Sequence, residues 1–202
     1  MGARSNGGLG AVWWRLKCRA YVGRVRFKAG VVAMFKPLID SCPSSIPVDY
    51  DEDLRTHQTL VDVAKCEVTQ RIVSVYCELA HTRNFKPFPA SLGFHEFSFH
   101  IYVRSIDGSE LSVFTQDRDI ARNYIPHIVI PLIMKIVIKC CSALVKEAKP
   151  EAIYRVTKII LLNKKAMLKH DLVTNCLYNL GYSLLEKGVD QFGRTYWAMV
   201  RQ

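Results

Sequence analysis

Residues 97–114, FSFHIYVRSIDGSELSVF, decide how the chain is read. Phe97, Phe99, Ile101 and Val103 alternate with Ser98, His100, Tyr102 and Arg104, the two-residue period of a half-buried strand. Asp107-Gly108 suits a tight hairpin, because both residues tolerate positive φ, and Leu111, Val113 and Phe114 return as a second strand. Gln116-Asp117-Arg118-Asp119 then opens a helix, with Asp117 at the N-cap and Asp119 in the first turn, where the macrodipole favours acid. The helix runs on through Ile125 to Val145 and is apolar enough to raise the question of a membrane. Lys135 and Lys139 interrupt it, and Asn123, His127, Lys135, Lys139, Ser142 and Lys146 fall along one stripe. A narrow polar stripe on an apolar cylinder describes a central helix packed on a sheet, so no membrane span is expected. Pro131 lies in the stripe and predicts a kink towards the wetter side.

Downstream, Lys149-Pro150 ends the helix and Ala152 to Thr157 reads as a short strand. Lys164 to Leu180 has helical period, with Gly181 as its C-cap glycine. Tyr182, Leu184 and Leu185 start a strand, Gly188 to Gly193 make a turn in which Arg194 locks onto Asp190, and Thr195–Val200 closes the chain. Upstream, Val61, Ala64, Val68, Ile72, Val75 and Leu79 recur at steps of three and four, which predicts an amphipathic helix from about Asp53 to Ala80. Its high β-branched content leaves room for a break, or for a strand near Ile72–Tyr76.

The charge is uneven. Of the formal net +10, eight basic residues and no acid lie in residues 1–39, which leaves a net +2 for residues 40–202. The expected organisation is a basic N-terminal extension (1–39), a proline- and serine-rich linker (40–53) and a single domain (54–202). The extension has three readings: an organellar transit peptide, an arm for nucleic acid or anionic lipid, or an accessory tail. Seven scattered cysteines, odd in number and without a CxxC pair, suggest a reducing, cytoplasmic setting rather than a disulfide framework.

From Asp53 onward the order is helix, strand, strand, long helix, strand, helix, strand, strand. This is an α+β pattern with a mixed, mostly antiparallel sheet and flanking helices. Over residues 97–200 it resembles the GNAT superfamily of N-acyltransferases. In that family the loop after the hairpin strand carries an Arg/Gln-x-x-Gly-x-Gly/Ala signature whose backbone N–H groups hold the diphosphate of coenzyme A. The corresponding residues here are Gln116-Asp117-Arg118-Asp119-Ile120-Ala121. Gln116 and Ala121 match the ends, Asp119 replaces the central glycine, and Asp117 adds a second negative charge that Arg118 and Arg122 offset in part. Leu177-Tyr178-Asn179-Leu180-Gly181-Tyr182 is similar to the family's Tyr-x-x-x-Gly-Phe ending, with the tyrosine one residue nearer the glycine.

The resemblance implies a three-layer fold, an acyl-CoA donor, an amine acceptor and a splayed pair of parallel strands at the start of the long helix. It assigns Gln116, Arg118, Ala121 and Arg122 to the cofactor and Tyr178 to the general-acid position. From the residues themselves, Glu96 or His100 on the polar strand face is a candidate general base, with Tyr102 as an acid. The alternative is a solvated polar face on a binding or structural protein that keeps the fold and uses its basic arm for nucleic acid or a partner. No metal site is expected: His95 and His100 fall on opposite strand faces, and no zinc spacing, P-loop or GxSxG motif occurs.

Overall fold

The segment expected to form a helix from Asp53 to Ala80 is a pair of long antiparallel strands in the computed structural model. Val61, Val63, Val73, Val75, Cys77 and Leu79 are buried, as in two strands that alternate against each other. Val68, which the helical period placed on the apolar face, sits in the intervening turn and is 73% exposed. Gln70 turns the chain there with a φ of 54°. β-Branched side chains pack well on a pleated surface and lose rotamer freedom in a helix, so the strand period prevails.

The structure describes residues 35–82, 93–106, 111–113, 124–157 and 164–202. Among them are nine strands and two helices. In chain order these are β1 (Phe35–Pro37), β2 (Asp49–Asp51), β3 (Thr56–Cys66), β4 (Ile72–His81), β5 (Phe94–Arg104), β6 (Leu111–Val113), α1 (Ile130–Ala148), β7 (Ala152–Val156), α2 (Lys164–Asn179), β8 (Tyr182–Val189) and β9 (Thr195–Arg201). The strands form one sheet in the order β1-β3-β4-β5-β7-β9-β8, with β2 also on β3 and β6 also on β5. Every ladder is antiparallel except β5–β7. A parallel pair needs a crossover, and α1 supplies it.

Residues 35–53, read from sequence as the end of the extension and a linker, belong to the sheet and its core. Phe35–Pro37 and Asp49–Asp51 pair with β3, Ile46 is buried, and Lys139 Nζ donates to the Pro43 carbonyl at 2.5 Å. The long helix does not run unbroken from the expected start at Asp117. Ile125–Val129 is a turn, α1 begins at Ile130, and residues 114–123 lie outside the described residues. Pro131 therefore occupies the first helical turn, where its missing N–H has no intrahelical carbonyl to meet, and no kink is needed.

Helix α1 buries Ile133, Ile136, Val137, Cys140, Cys141, Leu144 and Val145 against the sheet. Helix α2 adds Val173 and Leu177 to the same core. Among the described residues both helices cover one face, which makes two of the three layers expected from sequence. Gly181, at φ +85°, ends α2 as expected. In the β8–β9 hairpin, Asp190 accepts from the Phe192 and Arg194 amides and pairs with the Arg194 guanidinium at 2.7 Å. Leu185 is an extra residue on β8, because Leu184 opposes Met199 and Glu186 opposes Ala198. No helix among the described residues is long and apolar enough to cross a membrane.

Gly188 lies under the Tyr196 ring, and a Cβ there would stand 2.7 Å from the Tyr196 hydroxyl. Gly188→Ala must push aside a buried ring that is also hydrogen-bonded to Glu186. It should lower stability by about 1–3 kcal/mol, read as a reduced midpoint in urea unfolding.

Candidate functional site

The side chains that alternate with the core on β3, β4 and β5 form one polar face, opposite the helices. Cross-strand register sets its rows: Asp62, Ser74 and Tyr102 lie side by side, as do Gln58, Glu78 and Ser98. At one end Arg104 Nη2 donates to both carboxylate oxygens of Asp62, at 3.0 and 2.8 Å, and Ser74 Oγ donates to Asp62 Oδ1 at 2.5 Å. In the middle, Ser98 Oγ donates to Glu78 Oε1 at 2.9 Å and lies 3.2 Å from His100 Nε2. Because the single Ser98 proton goes to Glu78, His100 donates from Nε2 to Ser98. His100 and Tyr102 stack with centroids 5.8 Å apart, and Tyr76 lies 5.2 Å from Tyr102. The Tyr76 hydroxyl reaches Gln58 and Glu78, at 3.0 and 3.1 Å.

The face continues across the parallel pair. Glu96 stands opposite Tyr154, whose ring centroid is 6.0 Å from that of Tyr196, and the Tyr196 hydroxyl is bonded to Glu186. Burial pushes the Tyr154 phenol well above its ordinary value, and the Glu96 carboxylate adds to the effect. Tyr154 is therefore a protonated hydroxyl at neutral pH.

Right at this point the sheet forks. β5 pairs with β7 only over Phe94–Glu96, and β6 takes the same edge of β5 over Tyr102–Arg104. Phe97–Ile101 lie between the two ladders, while β7 runs on to Val156 alongside β9.

Of the residues singled out by sequence, Glu96 and His100 share this face. Four residue steps along the strand separate them by about 13 Å. Tyr178 lies on α2, on the helix-bearing side and 45% exposed, and does not join them. Gln116, Arg118, Ala121 and Arg122 lie outside the described residues. Glu78, Tyr154 and Tyr196 were not singled out. The alternation of Ser74, Tyr76 and Glu78 with Val73, Val75, Cys77 and Leu79 was the signal for the first of them. No group of three or more His, Cys, Asp or Glu among the described residues is arranged to hold a metal ion.

A second polar centre lies under the helices. Arg155, buried, donates to Thr174 Oγ1 and to the His170 carbonyl, both at 3.0 Å, and lies 5.2 Å from the centre of the Trp197 ring. His170 stacks on Trp197 with centroids 5.0 Å apart. Burial lowers Arg155 to about 10, so it stays charged at neutral pH. Burial and the Arg155 charge lower His170 to about 4.

No protein-family model matches the chain, and no curated protein matches it. Among solved structures it is similar to one described as "Putative GnaT-family acetyltransferase from Bordetella pertussis", at 8% identity and a TM-score of 0.34. The match covers 75% of this chain and 66% of that one, just under two thirds of its length.

The His170 shift carries a sign. As pH falls, the unfolded chain takes up the proton first, near 6.5, and the folded chain only near 4. The stabilisation is complete above the higher value and is lost on the way down to the lower one. His57 and His95, also lowered by burial, act in the same direction. Urea unfolding between about pH 7 and pH 4 should show a loss on the order of 2 kcal/mol from His170, reduced for its partial exposure. His170→Gln should flatten that dependence without abolishing it.

Proposed function

We propose that this chain is a GNAT-like acyltransferase domain, which takes an acyl donor where β5 and β7 part and an amine on the polar sheet face. The observation that carries the reading is the fork. A single parallel pair, joined through α1, separates after Glu96 and Tyr154 inside an otherwise antiparallel sheet. A strand edge between two ladders can receive an extended chain that carries amide groups, through backbone hydrogen bonds. The amide-bearing arm of an acyl-CoA is such a chain.

The rest of that cofactor fits less well. The first turn of α1 carries no basic residue or glycine, Pro131 removes one of its N–H groups, and Ile128 and Ile130 are exposed beside it. The described residues therefore suit the arm but build no cradle for a diphosphate. What the chain's own residues offer is proton handling. Attack by an amine requires its neutral form, and Glu96, beside the fork, is the carboxylate placed to take the proton. Tyr154, protonated and directly across from it, is a hydroxyl that can return a proton to a leaving group. His100, oriented by Ser98 and Glu78, is the alternative base.

The apolar start of α1 favours a second reading, a binding domain that keeps the sheet and the fork without the transfer chemistry. Acetyl-CoA separates the two. At about millimolar concentration, a ligand seated in the fork should raise the melting temperature by mass action. An unchanged melting temperature would decide for the binding domain. If acyl transfer to an amine is observed, Glu96→Gln should lower kcat by about 10²–10⁴ with little change in the KM for the donor. The same loss on His100→Gln instead would move the base to the Glu78–Ser98–His100 row.

A further inference from the structure

Residues 1–34 carry seven Lys and Arg and no Asp or Glu, and they lead into the fold at Phe35. Phe35 pairs with Cys66 at the end of β3, where the chain turns through Val68 and Gln70 into β4. β5 ends beside this turn, because Arg104 pairs with Ile72, and Ile106 follows it. The approach to α1 arrives at the same place. The Tyr124 ring stands edge-on to Phe35 with centroids 5.3 Å apart, and Ile128 and Ile130 come shortly after it. One end of the sheet therefore gathers Val68, Ile106, Ile128 and Ile130 from three separate segments, around the point where residues 1–34 join.

All four side chains are exposed, the first three over more than half of their surface. The core does not need them, since α1 packs on the sheet through a stripe that begins at Ile133. Apolar side chains exposed singly are ordinary; four gathered where a basic segment enters mark a surface that meets something. The charge at this end is positive as well. Lys65 and Arg71 flank the β3–β4 turn, and the Arg71 charge reaches the Tyr124 phenol. Among the described residues the acids here are Asp62 and Glu67, each bridged at 2.8 Å, to Arg104 and Lys36.

We propose that this end of the sheet docks on an anionic bilayer surface, with Val68, Ile106, Ile128 and Ile130 entering the boundary between headgroups and acyl chains and the basic residues of 1–34 meeting acidic headgroups. Trp13, Trp14, Tyr21 and Phe27, interleaved with those charges, are the ring types that favour headgroup depth. Either signal alone is weak, because a few aliphatic tips bind marginally and a polybasic stretch is screened by salt; the two together hold. A nucleic acid would use the charges and the rings but offers no apolar layer to the four tips. A second copy of the chain would cover the tips only by bringing one net charge of +10 against another. The contact is peripheral, and no residue of the fork takes part, so the inference is independent of the acyl-transfer reading.

The test is flotation of the full chain with vesicles of phosphatidylcholine alone and of phosphatidylcholine with about 30% phosphatidylserine, at low and at high salt. Binding to the anionic vesicles should be at least about tenfold stronger and should weaken as salt rises. Two full-length variants separate the contributions. Exchanging Arg15, Lys17, Arg19, Arg24 and Arg26 for Gln should lower the affinity for anionic vesicles by about a hundredfold or more. Val68→Ser combined with Ile128→Ser should lower it by about tenfold and leave the melting temperature unchanged, because both side chains are exposed. Equal binding to the two kinds of vesicle, or serine substitutions that leave vesicle binding as it was, overturns the assignment. Tighter binding to a mixed-sequence polynucleotide than to the vesicles at the same salt also overturns it and makes residues 1–34 a nucleic-acid arm. Self-association that the serine substitutions abolish while vesicle binding persists assigns the tips to a second copy instead.

Discussion

Among the described residues three pairs, Phe94 with Ala152, His95 with Ile153 and Glu96 with Tyr154, make the ladder between the two halves of the sheet. On one side stand β1 to β6, on the other β7 to β9. Three parallel rungs are a slender join, so the halves depend on what lies beneath them. Ile136, Val137, Cys140 and Leu144 of α1 are wholly buried, and each such side chain contributes about 1.5–3 kcal/mol relative to exposure, least for the small thiol. Helix α1 packs on β3 and β4 of the first half and on α2, which packs on β8 of the second, so the two helices together bridge the halves. That bridge is what lets the strands part so soon after they meet.

Strand β7 distributes its residues with equal economy. Tyr154 points to the polar face, where it meets Glu96 and Tyr196, and Arg155 points to the helices, where it meets Thr174 and His170. Neighbours in sequence thus serve two centres on opposite sides of one sheet, a direct result of the two-residue period. The two environments also handle charge differently. Tyr154 is held neutral by burial beside a carboxylate, whereas Arg155 stays charged because hydroxyl, carbonyl and indole groups surround it.

Where local chemistry decides structure, the sequence was legible. The alternation from Phe97 to Val103, the period of Lys164–Leu180, Gly181 and the Asp190–Arg194 turn all state their conformation within a few residues. The segment around Val61–Leu79 was not legible in that way. Its apolar residues satisfy steps of three and four as well as steps of two, and only pairing between β3 and β4 resolves the ambiguity. Pro131 misled for a related reason, since its effect depends on where the helix begins. The polar strand face with Glu96 and His100 could be read from alternation alone. Its partners could not, because Glu78 and Tyr154 arrive through cross-strand registers that no local spacing encodes.

The extra residue on β8 bears on how the sheet ends. β8 is an eight-residue strand with β9 on one side and, among the described residues, no strand on the other. A straight outer edge of that length is a template on which another chain can polymerise. Leu185 breaks the regular alternation, and Glu186 and Lys187 follow it with charge. A bulge increases the local twist of its strand, which works against pairing with an incoming one. One surplus residue thus works as a terminator, keeping colloidal behaviour apart from the fork at the centre of the sheet.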